Sequence, residues 1–524
     1  TESPAQAVQI GDPLTQRKLY EFIIEARDLG LFRCITDNGA GGISCSFGEM
    51  GKYSGGCECE LSEAPLKYEG MQPWEILISE AQERMTLAVQ PDKKNDFEKL
   101  AKRRDVEVSF MGKFNNSGYF TVKNNNKIIA SIDMKFLYDD GCPTMVMPAV
   151  WNKPSIQQPN IPKQVNFKDV LLSLIESLNL CSREYKSRMY DGEVKGLSVV
   201  KPFVGKKSDV PSDATVLRID YESNRGAILA EGINPWYSDL DTYDMTASVI
   251  DEAVRKIIAV GGDLKRIAIL DNFCWPDPVE SEKTPDGAYK LAQLVRSCKA
   301  LYDYTTLYKT PAISGKDSCK NDSTRGGKKI SIPPTLLISS IGQINDVQKS
   351  VTVPFKSSGD LIYIIGKTKD ELGASAYYRL LAEEQRSPES YGGVVPKVDG
   401  DDALNIYKAM NKATELQLLN SSTTPTKGGV ALSIALASMG GNCGADINLS
   451  KIHSDFTTAL FSESNSRFLV SISPENKEKF MTLFKKINVY EIGVVNSSDT
   501  INFQEFNINI NELRDSYKKT LHGI

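Results

Sequence analysis

The chain of 524 residues is poor in histidine: it has only His453 and His522, and neither lies in a catalytic motif. A Cys–His hydrolytic site therefore has no local support. No apolar run approaches the roughly 18 residues that a membrane-spanning helix needs, and the first residues lack the basic-then-apolar pattern of a secretory signal. The net charge of −5, without a basic stripe, gives no indication of nucleic-acid binding. These absences favour a cytoplasmic protein that binds neither membrane nor nucleic acid.

Cysteine is present, but it is not arranged as a metal site. Of ten cysteines only Cys57 and Cys59 are close together, and a single C-x-C pair is a weak metal signal. Free thiols in a reducing cytosol are the favoured interpretation. The composition, 41% hydrophobic and 25% charged, is typical of a globular protein, and the length predicts three or four domains.

One segment of the sequence occurs twice. A glycine-rich stretch containing Gly42 is followed by Ser-Glu-Ala-Gln-Glu-Arg around Glu80, and a similar stretch containing Gly429 is followed by Ser-Glu-Ser-Asn-Ser-Arg around Glu463. The two glycines are 387 positions apart and the two glutamates 383. Because chance matches do not keep register, the spacing predicts a duplicated domain.

The two copies differ in their polar residues. The first keeps Asp37, Glu80 and Gln82, whereas residues 424–427 of the second have threonine or lysine where the first has its aspartate. We therefore expect the first copy to carry the chemistry. In the second copy Glu463 is predicted to form an ion pair or a cap.

Periodicity and turn residues predict an α+β protein. Asp12 is expected to cap the first helix, Asp37 and Asp271 are expected to follow strands, and prolines from 143 to 162 indicate a linker. The predicted helices cover 12–30, 171–178, 245–260, 431–439 and 477–484, and the predicted strands cover 32–36, 133–137, 216–220, 227–230, 267–270, 335–344 and 361–365.

Residues 311–318 are the best candidate for a ligand-binding loop. Gly315 allows close backbone approach, Asp317 can hold Mg²⁺, and Ser318 offers a hydroxyl. With Glu252 and Asp271 the loop would supply the oxygen ligands that a magnesium-bound nucleotide requires. Two plainer interpretations stay open: the loop is an ordinary polar turn, and Glu252 forms a surface pair with Lys256 one helical turn away.

Five motifs together resemble the phosphoribosylformylglycinamidine synthase (formylglycinamide ribonucleotide amidotransferase) family, and the resemblance covers essentially the whole chain. The motifs are Ala-Val-Gln-Ile-Gly-Asp-Pro at 7–13, Asp-Asn-Gly-Ala-Gly-Gly at 37–42, Ser-Glu-Ala-Gln-Glu-Arg-Met at 79–85, Leu-Asp-Asn-Phe at 270–273 and Ile-Ser-Gly-Lys-Asp-Ser at 313–318.

The resemblance implies an α+β fold of duplicated two-domain units similar to aminoimidazole ribonucleotide synthetase, the first unit lacking its N-terminal domain. The implied domains are a C-terminal-type domain over 1–148, a proline-rich linker and helix over 149–195, a nucleotide-binding domain over 196–352 and a second C-terminal-type domain over 353–524. Because the family's catalytic histidine belongs to the domain that is not matched, no catalytic residue is assigned, and the chain alone is expected to be inactive.

The resemblance also implies roles for individual residues. Lys316 stands where small-type members of the family have a metal-binding asparagine. The implied substrate contacts are Gln9, Glu80, Ala81, Gln82 and Ser318; the implied ATP contacts are Asp271 and Gly315; the implied metal positions are Asp37, Asp317, Lys316 and Glu252.

The implied activity is ATP-dependent and Mg²⁺-dependent amidation of formylglycinamide ribonucleotide in purine biosynthesis. Ammonia would come from glutamine through a separate glutaminase subunit or domain, with a small bridging subunit as a further expected partner. Two alternatives stay open from the sequence: another ATP-using enzyme of the same superfamily, or a non-catalytic nucleotide-binding half that completes a partner chain.

Overall fold

The computed structural model describes residues 11–66, 69–139, 141, 145–190 and 192–522. They form two compact units, the first ending at Val146 and the second beginning at Met147. Within these residues no helix combines the length and apolar character needed to cross a bilayer.

The first unit begins with the predicted helix. Helix α1 covers Pro13–Asp28, and the Asp12 carboxylate accepts the Leu14 N–H at 3.0 Å, which confirms the predicted cap. Strand β1 (Cys34–Asp37) follows, also as predicted. The other elements are α2 (Gly42–Ser54), β2 (Cys57–Glu60), α3 (Pro73–Leu77), β3 (Met85–Ala88), α4 (Lys94–Arg104), β4 (Gly112–Phe114), β5 (Tyr119–Asn124), β6 (Lys127–Asp133) and α5 (Met134–Tyr138).

The strands of this unit form two separate sheets. Strands β1 and β3 pair antiparallel, and the other sheet has the order β4-β2-β5-β6. Helix α2 packs in a core that includes Cys57 and Cys59, both fully buried. Burial raises the pKa of each thiol to about 12, and both side chains belong to the hydrophobic core.

The predicted strand over 133–137 is wrong, because strand β6 ends at Asp133 and helix α5 begins at Met134. The Asp133 carboxylate accepts the N–H groups of Lys135 and Phe136 at 2.8 and 3.0 Å. An aspartate that caps a helix in this way ends the preceding strand.

The second unit starts with residues 147–166, which contain no helix or strand. The hairpin predicted around residue 224 is confirmed as β10 and β11, which pair antiparallel. The elements up to residue 344 are α6 (Phe167–Glu176), α7 (Glu184–Arg188), β7 (Ser198–Val200), β8 (Phe203–Val204), β9 (Val210–Pro211), β10 (Thr215–Arg218), β11 (Gly226–Ile233), α8 (Thr242–Ala259), β12 (Ile267–Cys274), α9 (Gly287–Tyr308), β13 (Ala312–Ser318), β14 (Asp322–Arg325), β15 (Lys328–Ser331) and β16 (Thr335–Ile344).

A six-stranded sheet of order β13-β12-β16-β11-β10-β7 supports this part of the unit. Helix α8 has fifteen buried residues of its eighteen and packs against β11. Two predictions are corrected here. Strand β12 continues past Asp271 to Cys274, and residues 312–318 are the edge strand β13 rather than a loop, because they pair in parallel with β12.

The remainder of the second unit contains a seven-stranded sheet of order β18-β20-β17-β21-β19-β22-β23. The predicted helices over 431–439 and 477–484 are confirmed as α12 and α14. The elements are β17 (Leu361–Ile365), α10 (Ala376–Glu384), α11 (Gly400–Glu415), β18 (Ser421–Thr423), α12 (Gly429–Gly441), β19 (Gly444–Ile447), α13 (Phe456–Phe461), β20 (Phe468–Ile472), α14 (Lys477–Leu483), β21 (Val489–Asn496), β22 (Thr500–Asn502), β23 (Asn507–Asn509) and α15 (Ile510–Lys519).

Gly232 sets how closely helix α8 approaches strand β11. A Cβ at this position would lie 2.1 Å from the Val249 carbonyl oxygen, a main-chain atom that only a shift of the helix could move. Gly232→Ala is therefore expected to lower the free energy of unfolding by about 1–3 kcal/mol, measured by urea denaturation. Gly192→Ala is the matched control, since a Cβ there meets nothing within 4 Å; equal stability of the two variants would contradict the prediction.

Candidate functional site

The glycine-rich turn of the first unit joins strand β1 to helix α2. Gly41 and Gly42 have φ values of 79° and 57°, a region that favours glycine. A Cβ on Gly42 would lie 2.0 Å from the Ser79 carbonyl oxygen. The two glycines therefore let the segment that carries Glu80 approach the turn directly.

The structure brings Asp37 and Glu80 to this same turn. The Asp37 carboxylate accepts the Gly39 N–H at 2.7 Å, and the Glu80 carboxylate accepts the Gly41 N–H at 3.2 Å. Both side chains are exposed, as is Gln82, while Ala81 is half-buried. Two acids that the sequence places 43 positions apart thus face solvent beside one turn. Gln9, the other predicted substrate contact, lies outside the described residues.

Two residues that hold this arrangement were missed from the sequence. Arg84 donates through Nε to the Ala81 carbonyl at 3.2 Å and through its terminal nitrogen to the Ser79 carbonyl. Asn38 accepts hydrogen bonds from Ser46 at 2.7 Å and Thr86 at 3.1 Å. Both lie inside motifs found in the sequence, but neither the bonds of Arg84 to its own loop nor those of Asn38 to two other elements leave a periodic pattern in the sequence.

The second unit contains a turn of the same geometry. Gly428 and Gly429 have φ values of 79° and 67°, and the Gly428 N–H donates to Glu463 at 2.9 Å. Arg467 repeats the role of Arg84, donating through Nε to the Ser464 carbonyl at 2.8 Å and through its terminal nitrogen to the Ser462 carbonyl. The local backbone is therefore the same at the two turns.

The glutamates at the two turns differ in what surrounds them. Glu463 is 3% exposed and also accepts the Ala376 N–H at 2.9 Å and the Tyr237 hydroxyl. Burial raises the pKa of Glu463. Of the two predicted roles, ion pair or cap, the contacts are those of a cap. Among the described residues the Glu80 side chain accepts only from Gly41, so its carboxylate has unused acceptor positions.

The second turn has Thr424 at the position of Asp37, and the carboxylate beside it comes from Asp213. Thr424, which is 387 positions after Asp37, donates its N–H and hydroxyl to Asp213 at 3.2 and 3.0 Å. Burial raises the pKa of Asp213 and lowers that of Lys427, whose ammonium donates to the Ile233 carbonyl at 2.6 Å. Asp213, Thr424 and Lys427 line a cavity of about 160 Å³.

Glu252 belongs to this charged cluster and not to the predicted nucleotide site. Its carboxylate lies 2.7 Å from the Lys256 ammonium, with side chains 11% and 18% exposed, so the pair is real but buried rather than on the surface. Burial by itself would raise the pKa of Glu252, but the positive charges of Lys256 and Lys427 hold this pKa below its ordinary value. The expected trio of carboxylates is thus not assembled. Within the described residues no three His, Cys, Asp or Glu side chains are grouped as a metal site.

Asp271, Gly315 and Asp317 do meet, on strands β12 and β13. Asp271 pairs in register with Gly315 and lies in the same row of β12 as buried Ile269 and Phe273. A Cβ on Gly315 would lie 3.1 Å from the Asp271 carboxylate, so the glycine leaves room beside this acid. Burial, and then the charge of Asp317, raise the pKa of Asp271.

The neighbours of Asp317 on strand β13 differ in orientation. Because side chains alternate along a strand, Asp317 lies on the same face as Asp271, whereas Lys316 points to the opposite face. Ser318 is half-buried at the end of the strand. The predicted metal role of Lys316 is therefore not supported, since its ammonium faces away from both carboxylates.

The two carboxylates on one face fit a magnesium ion bound together with phosphates. Mg²⁺ is usually held by one or two carboxylates, water and substrate phosphates rather than by a complete protein cage. Asp271 and Asp317 supply the two carboxylates of that donor set, and Gly315 leaves space beside Asp271.

The sequence of the chain matches a known family model and known proteins. The family model described as AIR synthase related protein, C-terminal domain, matches residues 1–124 and 357–504. The phosphoribosylformylglycinamidine synthase subunit PurL of Methanocaldococcus jannaschii is 30% identical over 99% of this chain and 68% of its own length. The Thermococcus sibiricus protein of the same name is 31% identical over 93% of this chain and 64% of its own length.

Solved structures show the same fold. T. maritima PurL complexed with FGAR has a TM-score of 0.62 at 21% identity and covers 95% of this chain and 67% of that chain. T. maritima PurL complexed with ATP has a TM-score of 0.61 at 22% identity, with coverage of 94% and 68%. The chain thus spans about two thirds of the length of the proteins it matches.

The two glutamates should differ in their effect on stability. Glu463→Ala leaves two buried N–H groups and the Tyr237 hydroxyl without an acceptor, each of which costs about 1–3 kcal/mol. Glu80→Ala removes one contact in an exposed turn and is the matched control, expected to change the free energy of unfolding by less than about 1 kcal/mol. Urea denaturation of both variants measures this; a larger loss for Glu80→Ala would contradict the assignment.

Proposed function

Because this chain belongs to the family of phosphoribosylformylglycinamidine synthase subunit PurL, we propose that it acts in the ATP-dependent amidation of formylglycinamide ribonucleotide to formylglycinamidine ribonucleotide in purine biosynthesis. Solved structures of T. maritima PurL contain ATP or FGAR. Since the chain spans about two thirds of its relatives, the activity is proposed for it as a large portion of such an enzyme.

The observation that carries the proposal is the contrast between Glu80 and Glu463. Both glutamates bind a glycine turn of the same geometry. In the second unit Tyr237 and Ala376 fill the remaining acceptor positions, whereas in the first unit those positions face solvent. A ligand with hydroxyl or N–H donors, such as a ribonucleotide, fits the open carboxylate of Glu80, with Ala81 and Gln82 beside it and Gln9 as a further contact.

We propose that the architecture arose by duplication. Helices α2 and α12 both have 13 residues and begin 387 positions apart. Strands β2 and β19 have the same offset. These matches support C-terminal-type domains at 1–148 and 353–524, with a linker over 149–195 and a nucleotide-binding domain over 196–352.

The nucleotide is proposed to bind at strands β12 and β13. Asp271 and Gly315 would contact ATP, Ser318 the substrate, and Asp317 the metal, while Asp37 would be a metal ligand in the first unit. When bound, Mg²⁺ would neutralise charge on the phosphates.

In the proposed reaction the amide oxygen of the ribonucleotide attacks the γ-phosphorus of ATP and ADP leaves. Ammonia then adds to the activated carbon, a carbon–nitrogen bond forms, the carbon–oxygen bond breaks, and phosphate and a proton are released. The contribution of Glu80 and Gln82 is to hold the ribonucleotide so that its amide oxygen is positioned for attack.

The ammonia would come from glutamine on a separate glutaminase subunit, with a small bridging subunit as a further partner. A solved assembly from Thermotoga maritima bears the name PurLQS, which supports a multi-subunit enzyme. A cytoplasmic location stays a prediction.

The function is tested by ADP formation. The chain is incubated with ATP, Mg²⁺ and ammonium chloride, with and without formylglycinamide ribonucleotide, and binding of the ribonucleotide is measured in parallel by calorimetry. The proposal is supported if ADP forms only in the presence of this ribonucleotide, or if the ribonucleotide binds to the chain in the calorimeter. Absence of both, or equal activity with unrelated small-molecule amides, would overturn it.

The nucleotide site has a matched pair of variants. Asp317→Ala is expected to remove most of the rise in melting temperature that ATP with Mg²⁺ produces, because ligand binding to the folded state stabilises it. Lys316→Ala, on the opposite face of the same strand, should keep that rise. A full shift in the Asp317 variant would place the nucleotide elsewhere.

Glu80 is tested by its effect on the substrate. Glu80→Gln should weaken ribonucleotide binding, or lower kcat/KM in the assembled enzyme, by the equivalent of a lost charged hydrogen bond, about 1.5–3 kcal/mol. Glu463→Gln should leave kcat/KM nearly unchanged and act on stability. The reverse result would mean that the second turn is the working one.

A further inference from the structure

The proline-rich segment at the start of the second unit is held against its neighbours, although it has no regular structure. Residues 147–166 contain no helix or strand. Trp151, Pro154 and Ile156 are nevertheless half-buried, and Pro159 is buried. A tether that only joined two domains would be exposed along its length, so this segment is attached to the unit at specific places.

The first attachment is to helix α9. The Trp151 ring stacks on Tyr289, with 5.4 Å between the ring centroids and 10° between the ring planes. The Arg296 guanidinium lies 4.4 Å from the centroid of the Trp151 ring, and the Val150 N–H donates to the Ala288 carbonyl at 3.0 Å. Stacking and cation–π contacts stabilise beyond the area that they bury, so Trp151 holds the segment firmly on this helix.

Arg296 extends this attachment from helix α9 to helix α8. Its guanidinium donates to both oxygens of the Asp241 carboxylate, at 2.7 and 2.5 Å. Asp241 also caps helix α8 by accepting the Tyr243 N–H at 2.8 Å. The Trp151 ring covers the guanidinium, and the ion pair is stronger because less water reaches it. Trp151 therefore stabilises the junction between the two helices as well.

The first turns of helix α9 also contact the end of strand β12. Trp275 comes directly after β12 and is fully buried, and its indole N–H donates to the Lys290 carbonyl at 3.2 Å. Lys290 is the residue after Tyr289. Two tryptophans, one from the sheet and one from the proline-rich segment, thus hold the same part of the helix.

Helix α9 continues beside the candidate nucleotide site. Desolvation of Cys298 on this helix, and then the charges of Asp317 and Asp271, raise the pKa of the Cys298 thiol. The helix is thus close enough to both carboxylates for their charges to act on its side chains. A displacement of α9 would change the surroundings of the face on which Asp271 and Asp317 lie.

The second attachment is to the residues that follow helix α10. The Asn160 N–H donates to the Gln385 side chain at 3.0 Å, and the Gln385 amide donates back to the Asn160 carbonyl at 2.6 Å. The Gly392 N–H donates to the Gln157 carbonyl at 2.8 Å. A Cβ on Gly392 would lie 1.8 Å from the Ile156 carbonyl oxygen, so this contact requires glycine. The segment therefore connects α9 to the end of α10.

We propose that residues 150–160 are a strap and that Trp151 is a positioning residue for the nucleotide, because it holds helix α9 in place beside Asp271 and Asp317. The strap keeps the face of strands β12 and β13 arranged before the ligand arrives. A prearranged site binds more tightly, since binding does not have to order its walls. This inference rests on the nucleotide site proposed above.

The test separates an effect on the nucleotide from an effect on folding. Trp151→Ala removes the stacking and the cation–π contact, Trp151→Phe keeps a ring that can stack, and Lys153→Ala, at an exposed position of the same strap, is the matched control. For each full-length variant the Kd of ATP with Mg²⁺ is measured by calorimetry and the free energy of unfolding by urea denaturation. Amide hydrogen exchange is followed over residues 287–308.

In Trp151→Ala, exchange in the first half of α9 is expected to become at least about tenfold faster. The Kd of ATP with Mg²⁺ should rise by about tenfold, because the apparent Kd increases as the binding-competent fraction falls. Trp151→Phe should restore most of both values, and Lys153→Ala should change neither. A Kd unchanged in Trp151→Ala would overturn the proposal, whatever happens to the free energy of unfolding, as would a Phe variant no better than the Ala variant.

Two further results are informative. If Trp151→Ala does not fold, Trp151→Leu takes its place, since leucine keeps apolar contact and lacks the ring, and the same outcomes decide. If the unaltered chain does not bind ATP with Mg²⁺, the nucleotide site itself is wrong and the positioning role is overturned with it. Binding by the unaltered chain with an equal Kd in the variant overturns the positioning role alone.

Discussion

The contact between a glycine turn and a glutamate organises the chemically important part of each unit. Two consecutive glycines with positive φ turn the chain from a strand into a helix, and the absence of a Cβ lets a distant segment approach within contact of the turn. The glutamate on that segment then accepts a main-chain N–H of the turn. Strand, helix and loop are fixed together by one hydrogen bond that requires glycine.

The same contact has two different electrostatic settings. Around the second turn, Glu463 is enclosed by protein donors, and the charges of Asp213, Lys427 and the Glu252–Lys256 pair face one another in a confined space. Burying charges is costly unless they are paired and hydrogen-bonded, so this cluster is satisfied largely by its own members. Around the first turn, Asp37 and Glu80 keep acceptors toward water, which is the condition for binding a ligand.

Features set by local chemistry could be predicted from the sequence. Asp12 followed by proline predicted the first helix and its cap, and Gly42, Gly429, Glu80 and Glu463 predicted two related turns. Two predictions failed for different reasons. The strand predicted over 133–137 is replaced by a helix because the Asp133 side chain caps it, a local contact that was not recognised. The loop predicted over 311–318 is largely a strand because residues 312–318 pair with the distant strand β12.

In the candidate site, too, the contacts within recognisable motifs could be predicted and the contacts between distant segments could not. The meeting of Asp271, Gly315 and Asp317 could be predicted as a group because each lies in a recognisable motif. The pairing of Glu252 with Lys256, one helical turn away, was an open interpretation of the sequence, whereas the contribution of Lys427 could not be predicted because it comes from a distant segment. Likewise Asp213 has no sequence relation to the turn that it serves.

Arg84 and Arg467 have a consequence for how such a protein can change over evolutionary time. Each holds its loop through main-chain carbonyl oxygens, and every residue type has the same carbonyl. Mutations can therefore exchange the side chains of the loop while its shape persists. A duplicated domain built in this way can lose an ancestral ligand in one copy and keep it in the other, so that natural selection acts on the two binding chemistries independently.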